Sequence, residues 1–299
     1  MTGVNTAFPE TSQYGTGSGN TVSVQEPKIA VAANDGVGLG AYGAIWWSLE
    51  QRFGIKFTPV ALSSLNGDLS AFNVIIIPDA NAATLGKGAG LKAWIERGGT
   101  LITMGSATSW AAREDVGMTT ARILTGDDAK DEKKKDDVKD EKKKDEEKKP
   151  DTKDEKPKAE VAPPAPVDSL LAVKSPTANP NAPQPVPGSH FDAVLDMTHS
   201  LTLGVEKQRT TVMFEGDAFL KLSKEGSNVA VFPTTGLLRR AGFVFPDNTE
   251  RLLKGTALLV EETVGRGHLV MFANDPMFRG WWRSLDRLVM NAVLLGPTF

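Results

Sequence analysis

Short apolar runs of strand length recur along the amino-terminal third of the chain. Residues 73–78 (NVIIIP) form the clearest of them, continuous and β-branched, as in strands that are buried on both faces of a sheet. Residues 28–33 (KIAVAA) and 100–104 (TLITM) are further runs of this kind. A fourth run, residues 57–62, contains Pro59, which favours an edge strand or a strand end.

Between these runs the apolar residues follow a helical spacing. One predicted helix ends at Gly54, and its apolar positions are Tyr42, Ile45, Trp46, Leu49 and Phe53. A second is predicted around residues 87–97 before Gly98-Gly99, and a short third in SATSWAAREDVG. Strands that alternate with crossover helices in this way predict an open, mostly parallel α/β sheet with helices on both faces.

Regular patterning resumes near residue 190 and continues to the carboxyl end. Strands are predicted at residues 211–214 and 228–232, followed by a hairpin that turns at Gly265–Gly267. A final helix is predicted to begin with Asp275 as its N-cap and Pro276 at its first position. Its predicted buried face consists of Phe278, Trp281, Trp282, Leu285, Leu288 and Ala292.

A long segment without apolar periodicity separates the two patterned parts. Residues 127–160 contain 13 lysines and 15 acidic residues, and a Pro/Ala/Asn-rich stretch follows. Such a segment cannot dock on a core, so a disordered insert over residues 126–188 is expected. The predicted organisation is therefore a flexible lead-in at 1–26 and one domain in two parts, 27–125 and 189–299.

Composition excludes several classes of function. Outside residues 127–160, 21 basic and 22 acidic residues nearly balance, whereas nucleic-acid binding needs clustered positive charge. The chain has no cysteine, which excludes disulfides, thiolate zinc sites and a cysteine nucleophile. The first 20 residues lack the pattern of a signal peptide, and no apolar stretch reaches the length of a membrane span.

The stretch GLGAYG, residues 38–43, matches the G-x-G-x-x-G pattern of dinucleotide-binding loops. In that motif the first glycine turns directly out of the strand, and an acid about 20 residues later holds the ribose. Here the strand is predicted to end near Ala33, and the region about 20 residues further on reads ALSSLNG, where the first acid, Asp68, comes late and lies in a loop. The interpretation is a glycine-rich strand-to-helix loop, with no nucleotide cofactor.

The resemblance to a known family is carried by four segments: YGAIWWSLEQRFGIKFTPVALSSL, NVIIIPDA, LKAWIERGGTLITMGSATSWAAREDVG and VGRGHLVMFANDPMFRGWWRSLDRLVMNAVLLGP. They resemble the class I glutamine amidotransferase-like domain at the carboxyl end of many bacterial zinc carboxypeptidase-like proteins. The resemblance covers roughly residues 28–118 and 190–297. Its most specific part is the closing G-R-G-x-x-x-x-F-A-x-D-P-x-F-R-x-x-W-R.

This resemblance implies a flavodoxin-like sheet and an upstream peptidase domain in the same polypeptide. Zinc would belong to that peptidase domain, and a parent of this kind would be periplasmic or secreted. The sequence leaves homo-oligomerisation open. None of His190, His199 and His268 is followed by a glutamate three residues later, so the H-x-x-E pair of the peptidase is absent from this chain.

The amidotransferase site is also absent in its usual form. Active members of the family carry a cysteine on a sharp turn after a strand, a glycine-lined oxyanion loop and a downstream histidine. The corresponding turn, TMGSAT, has Gly105 or Ser106 at the nucleophile position, and the oxyanion-type loop PDANA (residues 78–82) lacks glycine. The resemblance therefore implies a non-catalytic accessory module that stabilises, positions or regulates the peptidase, or contacts its substrate.

Two alternatives remain open on the sequence. A hydrolase could use Ser106 as nucleophile, His199 as base and Asp196 to orient it, although a serine in such a turn also serves as an ordinary helix cap. The histidine spacing favours no metal site. A carbohydrate or peptide binder could use tryptophans, because one ring of each doublet must lie off the buried face. Its candidate residues are Trp47, Trp282, Arg279 and Asp275.

Overall fold

A computed structural model of the chain describes residues 24–34, 36–126, 181–245 and 247–298. Its α-helices are α1 Leu39–Trp46, α2 Ala89–Glu96, α3 Ser106–Ala111, α4 Thr249–Leu253 and α5 Asp286–Leu295. Its strands are β1 Ile29–Ala33, β2 Thr58–Ala61, β3 Val74–Ile77, β4 Thr100–Met104, β5 Val186–Leu195, β6 Arg209–Gly216, β7 Ser227–Val231, β8 Arg239–Gly242, β9 Ala257–Val264 and β10 Gly267–Phe272. The sequence pattern did not predict β8 or α4.

The ten strands of the described residues join in one sheet. Their order is β2-β1-β3-β4-β10-β9-β7-β5-β6, and β8 also pairs with β5. The five strands at the start of this order, β2 to β10, run parallel. With β10 as the fifth strand, they follow the 2-1-3-4-5 order of flavodoxin-like folds. The hairpin β9–β10 then leads into antiparallel strands. The predicted open α/β sheet of the flavodoxin-like type is confirmed, and its antiparallel half is larger than predicted.

The parallel strands form the centre of the core. Every residue of β1, β3 and β4 is buried, because each strand has a neighbour on both sides. β2 pairs with β1 alone, so Pro59 lies on an edge strand as predicted. Among the described residues, no helix combines the length and the apolar content needed to span a membrane.

Helices cover both faces of the parallel half. α1 connects β1 to β2 and α2 connects β3 to β4, and these two steps run in opposite directions across the sheet. Right-handed crossovers therefore place α1 and α2 on opposite faces. α1 continues as a π-helical segment, Trp47–Arg52, and the predicted stop at Gly54 is confirmed by its positive φ of 67°. Arg52 pairs with Asp286 at the start of α5, which joins α5 to the face of α1.

The predicted insert falls mostly outside the described residues, which omit 127–180. β5 begins at Val186, so the last residues assigned to the insert belong to the sheet. The chain is anchored just before that strand, because the backbone N–H of Gln184 donates to Asn248 Oδ1 at 2.9 Å and Asn248 Nδ2 donates to the carbonyl of Ala182 at 2.8 Å. The second part of the domain thus starts earlier than residue 189.

The predicted carboxyl-terminal helix from Asp275 is wrong in its first half. The α-helix begins only at Asp286, and residues 275–285 contain a single 3-10 turn at Phe278–Gly280. Arg279 within that turn has a φ of +53°, which no α-helix accommodates. Trp281 is exposed, whereas Leu285, Leu288 and Ala292 are buried as predicted.

The edge of β6 explains why this segment is not helical. β6 is the last strand in the sheet order, so its outward carbonyls have no neighbouring strand. Asn274 Nδ2 donates to the carbonyl of Met213, and Trp282 Nε1 donates to the carbonyl of Thr211 at 3.1 Å. The segment therefore runs along β6 and satisfies its free backbone acceptors, a tertiary demand that outweighs helical periodicity.

Candidate functional site

The turn between β4 and α3 has the backbone geometry of a nucleophile elbow. Gly105 lies between Met104 and Ser106 with φ +54° and ψ −121°. An L side chain rarely adopts this conformation, and active sites use it to project a nucleophile from a strand-to-helix turn. The sequence left Gly105 and Ser106 as alternatives for the nucleophile position. The strained residue is Gly105, which carries no side chain.

The carboxylate of Asp79 fills the space in front of Gly105. Asp79 follows β3, and its Oδ1 accepts a hydrogen bond from the backbone N–H of Ser106 at 2.8 Å. A Cβ atom on Gly105 would lie 2.7 Å from the same oxygen. The N–H of the residue after an elbow nucleophile normally stabilises the oxyanion of the reaction. Asp79 thus occupies the space in front of Gly105 and accepts a hydrogen bond from the N–H of the following residue at the same time.

The structure does not bring Ser106 and His199 together. Ser106 follows the carboxyl end of β4. The ring of His199 lies beside Glu261, which also bonds His268, and His268 pairs with Thr100 at the amino end of β4. A five-residue strand is about 13 Å long, so the Glu261–His268 pair that His199 contacts lies towards the amino end of β4, away from Ser106.

Glu261, not Asp196, is the carboxylate that faces His199. Asp196 Oδ1 accepts hydrogen bonds from the hydroxyl and backbone N–H of Thr198, and these bonds lower the pKa of Asp196. His199 Nδ1 accepts from the N–H of Leu201 at 3.1 Å, so its Nε2 carries the proton, 3.6 Å from Glu261 Oε2. Sequence reasoning missed Glu261, whose only signal was a pair of acids inside an otherwise apolar strand.

Glu261 is held ionised by its two histidine neighbours. Burial opposes its ionisation, but hydrogen bonds from His199 and His268 outweigh that effect and lower the pKa of Glu261 to about 2. His268 Nδ1 lies 2.6 Å from Glu261 Oε1. Within the described residues, no three His, Asp or Glu side chains are arranged to hold a metal ion.

The glycine-rich loop ahead of α1 packs against the loop that holds Asp79. Gly38 is the N-cap of α1, and its N–H donates to the backbone carbonyl of Asp79 at 2.8 Å. A Cβ on Gly38 would lie 3.2 Å from that oxygen, so the close approach of two backbones favours glycine here. Four residues separate β1 from Gly38. The loop thus lacks the direct strand-to-glycine turn of a dinucleotide fingerprint.

A cleft of about 380 Å³ opens at the carboxyl ends of the parallel strands. In open α/β sheets this edge is where ligands bind. The charged residues that line the cleft are Asp79, Glu215, Asp217, Asp275 and Arg279, and its other walls are mostly small or apolar. The cleft is therefore strongly acidic, with one basic residue.

Asp275 is the most perturbed acid of this cleft. Burial raises the pKa of Asp275 to about 6, and the negative charges of Asp79 and Glu215 add to the effect. Asp275 Oδ1 accepts a hydrogen bond from the N–H of Met277 at 3.0 Å. Asp275 thus caps a turn at the end of β10 instead of the long helix that the sequence predicted.

In each tryptophan doublet, the more exposed ring is not the one that the sequence suggested as a ligand contact. Trp46 and Trp281 are 40% and 64% exposed, respectively. Trp282 packs against His190 with ring centroids 4.4 Å apart and the ring planes tilted by 56°. The guanidinium carbons of Arg52 and Arg283 lie 5.5 and 5.0 Å from the ring centroid of Trp47.

Trp47 nevertheless lines a second hollow beside the acidic cleft. This groove is lined by Leu39, Gly40, Gly43, Ala44, Trp47, Arg279, Gly280 and Arg283. Arg279 and Gly40 line both hollows. Of the four residues proposed as ligand contacts, Trp47, Arg279 and Asp275 thus surround one continuous surface, and Trp282 lies apart, under Trp281 and His190.

Comparison with solved structures supports the topology described above. A ThuA-like protein from Parabacteroides merdae superposes over 92% of this chain and 91% of its own, with a TM-score of 0.52 and 10% sequence identity. The two chains therefore share a fold. At such identity the likeness concerns the fold alone.

Two more structures show similarity to this chain. One, named as a component of GMP synthase, comes from Thermoplasma acidophilum and matches 90% of this chain and 94% of its own at 7% identity, with a TM-score of 0.49. The other is a ThuA-like protein from Bacteroides uniformis, with 92% and 93% coverage, 9% identity and a TM-score of 0.46. No protein-family model and no curated protein sequence matches the chain.

Proposed function

We propose that this chain is a non-catalytic, amidotransferase-like accessory domain of a bacterial zinc carboxypeptidase-like protein. Its role would be structural, regulatory or substrate-contacting. One observation carries the non-catalytic part: the carboxylate of Asp79 stands where a nucleophile would project, against a glycine at the elbow. An anion there would repel a developing oxyanion and take up its hydrogen-bond donor.

An activity assay tests this part of the proposal. Purified protein should release no ammonia from glutamine and should not hydrolyse p-nitrophenyl esters above the rate of buffer. Ser106→Ala should leave both results and the folded circular dichroism spectrum unchanged. A turnover that Ser106→Ala abolishes in a folded protein would instead establish the serine hydrolase alternative.

The proposed parent protein rests on the resemblance of residues 264–297 to the peptidase-associated module. Reading the gene upstream of the Met1 codon tests it directly, because the frame should continue into a region with H-x-x-E and a later histidine. The peptidase would bind the zinc, and the parent would act in the periplasm or outside the cell. Removing residues 24–299 from that parent should then change its kcat/KM, whereas an unchanged value would exclude a regulatory role.

A carbohydrate- or peptide-binding module is the second candidate. The exposed ring of Trp281, next to the chain segment of Arg279, favours it. Soluble peptidoglycan fragments should then quench tryptophan fluorescence, and Trp281→Ala should abolish the quenching while Trp46→Ala, the matched exposed ring, should not. Absence of saturable quenching would eliminate this candidate for that ligand class.

A further inference from the structure

The acidic residues of the cleft and Arg279 at its rim carry opposite charges but do not pair with one another. Glu215 and Asp217 lie exposed on one wall, and Arg279 lies exposed at the other side. Within the described part of the chain, none of the three makes an ion pair. The guanidinium of Arg279 rests on the ring of Phe278, 5.0 Å from its centroid.

An uncovered apolar surface adjoins these charges. Leu39, at the start of α1, is 86% exposed. A Cβ on Gly40 or on Gly43 would meet no other atom within 4 Å, so this side of α1 is open. Trp281 is exposed in the neighbouring turn. Leu39 lines the groove that shares Arg279 with the acidic cleft, and exposed apolar side chains beside such a groove favour an interaction surface.

We infer that this face is the interface of a homodimer, in which Arg279 of the partner subunit enters the acidic cleft. A two-fold interface brings one patch against itself, so a patch that carries acidic residues and a basic residue beside the exposed side of α1 is self-complementary. Each copy gives one arginine and receives one, and the exposed side of α1 packs across the axis. The cleft is complete only in the dimer.

The electrostatics of the cleft agree with this arrangement. Four carboxylates share the site, and the raised pKa of Asp275 reflects burial together with neighbouring negative charge. A guanidinium is the group best suited to pair with carboxylates at an interface, because it offers planar, bidentate hydrogen bonding. Arg279 of the same copy does not fill this role, since its guanidinium stacks on Phe278.

Charge exchange in the full chain tests the dimer. Analytical ultracentrifugation from about 0.1 to 100 µM should show a monomer–dimer equilibrium whose Kd rises with salt. Arg279→Glu and Asp217→Arg should each raise Kd about tenfold or more, because each brings like charges together. The double variant exchanges the two charges and should return Kd to within about threefold of the wild type.

Arg266→Glu is the matched control, since it changes the same charge in the β9–β10 turn at the opposite edge of the sheet. It should leave Kd unchanged. A wild-type monomer at about 100 µM overturns the inference, as does a double variant no tighter than either single variant. Leu39→Asp, on the open side of α1, should also raise Kd, and this test does not depend on the charges of the cleft. The outcome of these Kd measurements does not depend on whether the domain is catalytic.

Discussion

The carboxylate of Asp79 is bonded to the backbone N–H of Ser106 across the ends of two neighbouring strands, β3 and β4, at 2.8 Å. An anion at the first residue of α3 satisfies an N–H that the helix itself leaves free. The same oxygen would lie 2.7 Å from a Cβ on Gly105. One side chain therefore stabilises the elbow and occupies the space in front of Gly105.

Removing this carboxylate should destabilise the fold modestly. Asp79→Ala leaves the Ser106 N–H without its acceptor, so we expect a loss of about 1–3 kcal/mol in the free energy of unfolding. Asp79→Asn keeps an amide oxygen and should lose less. Urea denaturation at neutral pH measures both variants, and equal losses would contradict the assigned hydrogen bond.

Gly105 and Asp79 should be energetically coupled. Gly105→Ala introduces a Cβ at a φ of +54° and against the Asp79 oxygen, so it should cost about 2–4 kcal/mol. In the Asp79→Ala background only the backbone strain remains, and the cost should fall by about 1 kcal/mol or more. A double-mutant cycle from urea denaturation measures this difference. Additive effects would show that the carboxylate does not occupy the space in front of residue 105.

Asp275 should make the protein less stable as the pH rises. Burial raises its folded-state pKa from 3.8 to about 6, so protonation favours the folded state, and stability declines between those two values. Asp275→Asn keeps an acceptor for Met277 and removes the buried charge. It should gain about 2–3 kcal/mol at pH 8 and nothing below about pH 4. The free energies of unfolding of the variant and the wild type are to be measured across this pH range. A gain that does not change with pH would show that the charge of Asp275 is not responsible.

Glu261 should have the opposite pH signature. The pKa of Glu261 in the folded protein is about 2, below the usual 4.5. Its contribution to the free energy of unfolding is therefore fully present above pH 4.5 and declines as the pH falls towards 2. Glu261→Gln should lose about 2–3 kcal/mol at pH 7, and the gap to the wild type should narrow below pH 4.5. Glu206→Gln, at an exposed position, is the control and should show no such gap.

The two rings of the carboxyl-terminal doublet should differ in their effect on stability. Trp282→Ala removes the donor to the Thr211 carbonyl and the ring contact with His190, so a loss of about 3–5 kcal/mol is expected. Trp281→Ala, at an exposed ring, should change the unfolding free energy by less than about 1 kcal/mol. Thermal unfolding of the two variants compares them. A large loss at Trp281 would mean that its ring is covered, as in the proposed dimer at high concentration.

Periodicity predicted the parallel half of the sheet well, because its strands are buried on both faces and therefore continuously apolar. The same method failed between residues 275 and 285, where apolar residues at helical spacing serve the edge of β6 instead. It also missed β8, whose residues are exposed and lack a buried pattern. The sequence pattern placed Ser106 in the turn after β4, as the structure has it. Its distance from His199, however, depends on strand order and direction, which periodicity does not give.

The amino-acid sequence by itself determined the class of fold, since buried strands and crossover helices impose their own periods on the chain. It also determined that no cysteine can act at the elbow. The tertiary structure alone decided that Asp79 lies in front of Gly105 and that Glu261 contacts both His199 and His268. These contacts join residues far apart in sequence. Side-chain periodicity is a local property, whereas the identity of a neighbour across the sheet depends on strand order and register.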